Sequence, residues 1–165
     1  IVQAQNVIPQ DGPIGHGTES ELPVTVTQAA LQTPLARTVI DAVNEARASQ
    51  GLAALSGAAD LNELAQSYSE RMAAEGFFSH EDPEGNRLKD RIEAAGISYL
   101  AVGENLAKNR GHDDPAAVAV TSWMGSSGHR ANMLNPEYTE TGVGIAQSTD
   151  GTYYFTELFI KRPGS

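Results

Sequence analysis

The sequence predicts an α+β fold, layered as an α-β-α sandwich around a small antiparallel sheet, and three observations carry that prediction. Apolar residues recur at helical spacing through the first part of the chain, and each such stretch has its own start and stop signals. Two runs of alternating residues near the C-terminus flank a turn at Asp150 and Gly151, which is a hairpin signal. Neither an internal repeat nor a low-complexity tract interrupts the order of helices first and sheet last.

The elements follow in order. Residues 1–33 contain no Lys or Arg, only Asp11, Glu19 and Glu21 as charges, and prolines at 9, 13 and 23. They read as an extended N-terminal arm or linker, and residues 34–165 as the folded domain. The first helix opens at "TPLARTVIDAVNEARASQG". Thr33 can cap it, Pro34 suits its first position, and Leu35, Val39, Val43 and Ala46 form its apolar stripe until Gly51 stops it. In "DLNELAQSYSERMAAEG", Leu61, Leu64, Ala65, Tyr68 and Met72 fall on one face and Gly76 ends the helix. "FFSHEDPEGNR" carries turn chemistry, "RLKDRIEAAG" a short helix, and "ISYLAVGENLA" an extended segment. Asp114 and Pro115 open a helix in "DPAAVAVTSWM", and "SSGHRANMLNP" holds a short helical turn. The hairpin of "TGVGIAQS" and "TYYFTELFIK" completes the domain.

Composition narrows the function. A net charge of -10 repels phosphate backbones and anionic lipid, which argues against nucleic acid as a partner. With no cysteine there is no disulfide, thiolate nucleophile or sulfur metal site. No apolar run approaches the roughly 18 residues a membrane helix needs, so no transmembrane segment is expected.

The residues able to do chemistry are His80 in "FFSH", Glu104 in "VGENLA" and His129 in "SSGHR". Two imidazoles and a carboxylate can form an open divalent-metal shell, with zinc the usual choice. The same trio can act as general acid and base. Spacing leaves a third reading open, in which each histidine is a separate structural hydrogen-bonding group. Ser79, Ser126 and Ser127 lie beside histidines, but no oxyanion hole or activating contact can be inferred for them. His112 reads as a solvated loop residue and His16 as part of the arm. Asp82 and Glu84 read as turn caps, Trp123 as core, Asn132 and Asn135 as ties for the turn after His129, and Gly142 and Gly144 as close-packing positions.

"FFSHEDPEG", "GENLA", "SWMGSSGHRANMLNPEYTETGVGIA" and "YYFTELF", in that order, resemble the bacterial branch of the CAP superfamily of SCP-like extracellular proteins. "VNEARASQGLAAL" resembles the opening of the same domain, and the likeness spans residues 35 to about 162. The resemblance implies an α-β-α sandwich with a central cleft, found outside the cytoplasm in extracellular, periplasmic or cell-envelope settings with any signal peptide removed. It also implies a cleft of two histidines and two acids that in some members binds zinc or another divalent ion. Its histidines fall on His80 and His129 and its first acid on Glu104. The second acid, expected three residues after Trp123, is replaced by Ser126. Strand alternation puts Glu157 on a face with Tyr153, Phe155 and Phe159, where relatives often carry glutamine. Glu157 is then either a buried acid partnered by a histidine or ion, or an edge-exposed glutamate, which is the favoured reading.

The expected metal ligands are accordingly His80 and His129, with Glu104, Glu157 and Ser126 as further or supporting groups and weakly bound zinc or another divalent cation as the cofactor. The expected function is a secreted binding module for a peptide, a lipid or other envelope component, or a divalent cation. The alternative is a peptidase or esterase in which metal or the His-Glu-His group activates water, with His80, Glu104 and His129 as catalytic candidates.

Overall fold

A computed structural model describes residues 2–7 and 33–164. Its elements run β1 (Val2–Val7), α1 (Pro34–Ser49), β2 (Ser56–Gly57), α2 (Ala59–Glu75), α3 (Leu88–Ala94), β3 (Ala101–Asn109), α4 (Pro115–Met124), α5 (Ser127–Met133), β4 (Glu140–Gln147) and β5 (Tyr153–Lys161). The strands form one sheet in the order β1-β3-β5-β4-β2, antiparallel except where the short β2 runs beside β4. Helix α2 packs on one face of the sheet and α1 and α4 on the other, so the expected α+β sandwich is the observed architecture.

Local chemistry starts and stops the helices where the sequence places the signals. The Thr33 side chain accepts from Ala36 N, and Asp114 accepts from Ala117 N; a proline follows each cap. Gly76 ends α2 with φ 74°, a left-handed conformation that a side chain would strain.

Two cores result. On one face Val39 and Val43 of α1, Trp123 of α4 and Phe155 and Phe159 of β5 are buried together. Trp123 is core as expected, with its indole N–H donating to Leu106 O at 3.0 Å. On the other face Leu61 and Ala65 of α2 pack against Leu158 and Ile160. Gly142 and Gly144 admit α2 to this contact. A Cβ on Gly142 would lie 2.4 Å from Leu61, and one on Gly144 would lie 2.1 Å from Gln66 N.

The two long edges of the sheet are finished differently. Along β4, Asn62 Oδ1 accepts from Val143 N and Gln66 Oε1 from Ile145 N, both at 2.9 Å, so amides one helical turn apart on α2 complete that edge. Along β3, the edge is completed by β1, which pairs from Val2 opposite Ala107 to Val7 opposite Val102. Of the expected arm, these six residues form a strand of the sheet. His16 and the prolines of the arm lie outside the described residues.

Candidate functional site

Glu104 sits near the middle of β3, and its side chain points to the face covered by α2 and α3, fully buried. An ionised carboxylate cannot be left there alone. Two groups meet it. Nδ1 of His80 lies 2.8 Å from Oε1, and because a carboxylate only accepts, the imidazole donates there; in its neutral form its lone pair is on Nε2. Nη2 of Arg91 lies 2.8 Å from Oε2 and 3.0 Å from Oε1. His80 Nε2 is buried without a hydrogen-bond partner among the described residues.

Arg91 is the member that the sequence reading misses. Its guanidinium lies 3.6 Å from the Tyr68 ring centroid, a cation stacked on an aromatic face away from water. The phenol of Tyr68 donates to Ser79 O at 2.7 Å, which pins the loop that carries His80 to α2. Burial first, with Glu104 and Asp82 adding to it and Arg91 opposing, holds that phenol well above its ordinary range, so it stays a donor. The same loop is tied by Asp82, whose Oδ1 accepts from Glu84 N and Asn86 N while Oδ2 pairs with Arg71 at 3.0 Å. The cap role expected of Asp82 is therefore observed. A signal for Arg91 was present: it follows Leu88 by three residues and precedes Ile92, on the buried stripe of α3.

His129 lies on α5 and is buried. Its Nδ1 is 2.7 Å from Ser126 Oγ, so the serine at the expected position of the second acid does contact the second histidine. The turn is tied to β3 beside Glu104. Asn105 Nδ2 donates to His129 O at 3.1 Å, and Asn132 Nδ2 donates to Asn105 Oδ1 at 3.0 Å and Glu104 O at 3.3 Å. Asn132 thus fastens α5 to the sheet as well as closing its own turn, while Asn135 accepts locally from Glu137 N. His80 and Glu104 are in direct contact. His129 is joined to the same strand through its neighbour, Asn105.

Glu157 requires a correction. It is not edge-exposed: it lies in β5 between Asn105 of β3 and Val143 of β4, and it is fully buried. Alternation alone could not separate a central strand from an edge one. Its Oε1 accepts from Thr141 Oγ1 at 3.3 Å, and Arg47 is the charge that acts on it. Burial, the largest effect, pushes its pKa up to about 8 against both of those groups. Glu84, expected as a turn cap, instead pairs with Arg71 at 2.7 Å. His112 is exposed, and Ser79 Oγ accepts from Glu81 N.

As a metal site this arrangement is thin. Glu104 is already neutralised by Arg91, Ser126 brings no charge, and no cluster of three or more His, Asp or Glu side chains among the described residues could hold an ion. Among those residues no helix is long and apolar enough to cross a membrane.

Comparison with known proteins agrees with the fold. The family described as "CAP: Cysteine-rich secretory protein family" matches residues 40–159. An uncharacterized membrane protein, YlbC, of Bacillus subtilis is 38% identical over 132 residues, covering 80% of this chain and 36% of its own length. A second Bacillus subtilis protein, the uncharacterized YkwD, is 38% identical over 122 residues, covering 74% of this chain and 45% of its own. A solved extracellular protein with an SCP domain from Bacillus anthracis superposes with a TM-score of 0.68 at 26% identity, over 87% of this chain and 45% of that one. The chain therefore spans less than half the length of these relatives. With that match over most of its length, the chain belongs to the CAP, or cysteine-rich secretory protein, family.

Proposed function

We propose that this domain is the ligand-binding module of an exported or envelope protein, and that its His80–Glu104 cleft holds a neutral ligand such as a peptide or lipid without reacting with it. One observation carries the reading: the Glu104 carboxylate that orients His80 is neutralised by Arg91. In a catalytic dyad the acid stabilises the imidazolium that forms as the base takes its proton. Here Arg91 offsets that stabilisation, and no hydroxyl among the described residues meets His80 Nε2. What is left is a fixed imidazole lone pair, an acceptor suited to a ligand N–H or O–H. The acidic surface and the extracellular character of the solved Bacillus anthracis neighbour support export.

A divalent cation is an accessory in this reading, held by His80 and His129 with micromolar or poorer affinity, short of a structural zinc site. Titration calorimetry with zinc on the parent, His80→Ala and His129→Ala tests it. Loss of one shared binding event in both variants supports the pair, and unchanged binding in both places the ion elsewhere.

The alternative, a hydrolase, draws on the 2.7 Å contact between Ser126 Oγ and His129 Nδ1, which is the distance of a nucleophile from its base. Turnover of peptide and ester libraries separates the two. The binding reading expects none above the blank, and turnover abolished by His80→Ala or Ser126→Ala would overturn it.

A further inference from the structure

We infer that the outer edge of β3 is a docking edge for an extended, uncharged peptide, and that β1 is its built-in occupant. The inference deepens the binding-module reading and rests on it. The first ground is that the strand comes from outside the domain: the family match begins at residue 40, whereas β1 spans Val2–Val7 and reaches α1 through residues 8–32. The second is how the rest of the edge is served. The domain completes β4 with its own helix amides, Asn62 and Gln66. On β3, Asn132 and Trp123 donate to the carbonyls of Glu104 and Leu106. Among the described residues no side chain accepts from a β3 backbone N–H, so the edge depends on a paired strand for its acceptors.

The register ties this edge to the cleft. Gln5 lies opposite Glu104 and Ala4 opposite Asn105. In an antiparallel pair, directly opposed residues project to the same face. The residue of an incoming strand opposite Glu104 therefore points to the face on which Glu104 meets His80, and its neighbours point to the face of Asn105, whose amide holds the His129 turn. Backbone pairing supplies affinity and the two faces supply selection. The segment that occupies the edge, "VQAQNV", has no charged side chain, in a chain whose net charge is -10. A neutral strand is the partner that such a surface neither repels nor traps.

A full-length variant with Ala4→Pro and Gln5→Pro tests this. Adjacent residues of a strand turn their N–H groups to opposite sides, so one of the two prolines must remove a bond to β3. A fluorescent peptide copying residues 1–10 should then bind the variant saturably, at least about tenfold more tightly than the parent, whose tethered arm competes at roughly millimolar effective concentration. Placing proline at the Ala4 or the Gln5 position of the peptide should abolish binding in one case only. Equal binding by parent and variant, equal binding of a scrambled peptide, or no binding to a folded variant would overturn the inference. So would an unfolded variant, which would make β1 part of the core, or a parent that dimerises by exchanging arms. Hydrolysis is followed on the same samples. Peptide that binds and is then cut refutes the binding-module reading and leaves the docking edge standing. Absent peptide binding with zinc still held by the two histidines does the reverse.

Discussion

Replacing Glu157 by glutamine should change how stability depends on pH, and the structure sets both sign and size. Glu157 is fully buried in β5, and burial pushes its pKa from 4.5 up to about 8. At pH 7 the folded protein therefore holds a neutral acid, whereas the unfolded chain holds a carboxylate. Because the folded value is raised, this group costs nothing below about pH 4.5, and its contribution is lost progressively as pH rises through about 8. Each pH unit in that window removes about 1.4 kcal/mol, which accumulates to about 3 kcal/mol by pH 7. Glutamine keeps the acceptor for Thr141 and cannot ionise. Any cost of fitting its amide is the same at every pH, so the diagnostic is the difference between parent and variant. Urea unfolding at pH 4.5, 6, 7 and 8.5 should show Glu157→Gln gaining on the parent by about 3 kcal/mol between pH 4.5 and 7. Two curves that stay parallel would refute the account, and would mean that Arg47 or water keeps the carboxylate ionised.

Three further outcomes are expected. Glu104→Ala leaves Arg91 buried without its counter-ion and His80 without its acceptor, so metal-free unfolding should show a loss of about 3–5 kcal/mol; an unchanged midpoint would mean that the pair is dispensable. Ser126→Glu restores a carboxylate beside His129 Nδ1 and should tighten zinc binding about tenfold or more, read by calorimetry; no gain would show that His129 does not ligate. Gly144→Ala drives a Cβ into the α2 backbone at 2.1 Å from Gln66 N and should destabilise by about 3 kcal/mol, measured by urea unfolding; a smaller loss would show that α2 can withdraw.

The parts of the fold that depend on near neighbours in sequence were legible. Thr33-Pro34 and Asp114-Pro115 cap their helices because a side-chain oxygen and a fixed φ act within one turn. The Asp150–Gly151 turn joins the two strands on either side of it, and it could be read for the same reason. Placement across the sheet was not legible. Alternation assigned Glu157 to a face but could not say that β3 and β4 would flank its strand. The pairing of β1 with β3 joins segments about a hundred residues apart, and no local pattern in "VQAQNV" specifies it. Of the site, the structure places His80 against Glu104 and His129 against Ser126. Arg91 was missed because an arginine in a short helix reads as a surface charge unless its place between Leu88 and Ile92 is weighed.

That omission alters the chemistry expected of the cleft. Two imidazoles and a carboxylate, counted alone, carry one negative charge and attract a dication. With Arg91 included, the Glu104 carboxylate already has a cation paired to it, and any ion approaching His80 also approaches that guanidinium. In a buried setting that repulsion is only weakly screened. The same arginine leaves hydrogen bonding intact, since His80 is still fixed by its Nδ1–H and still presents Nε2 as an acceptor. A neutral donor, such as a backbone N–H of an extended peptide, gains that bond without meeting the repulsion. The charge balance around Glu104 therefore favours a neutral hydrogen-bonding ligand over a metal, and it does so through a residue of α3 that touches neither.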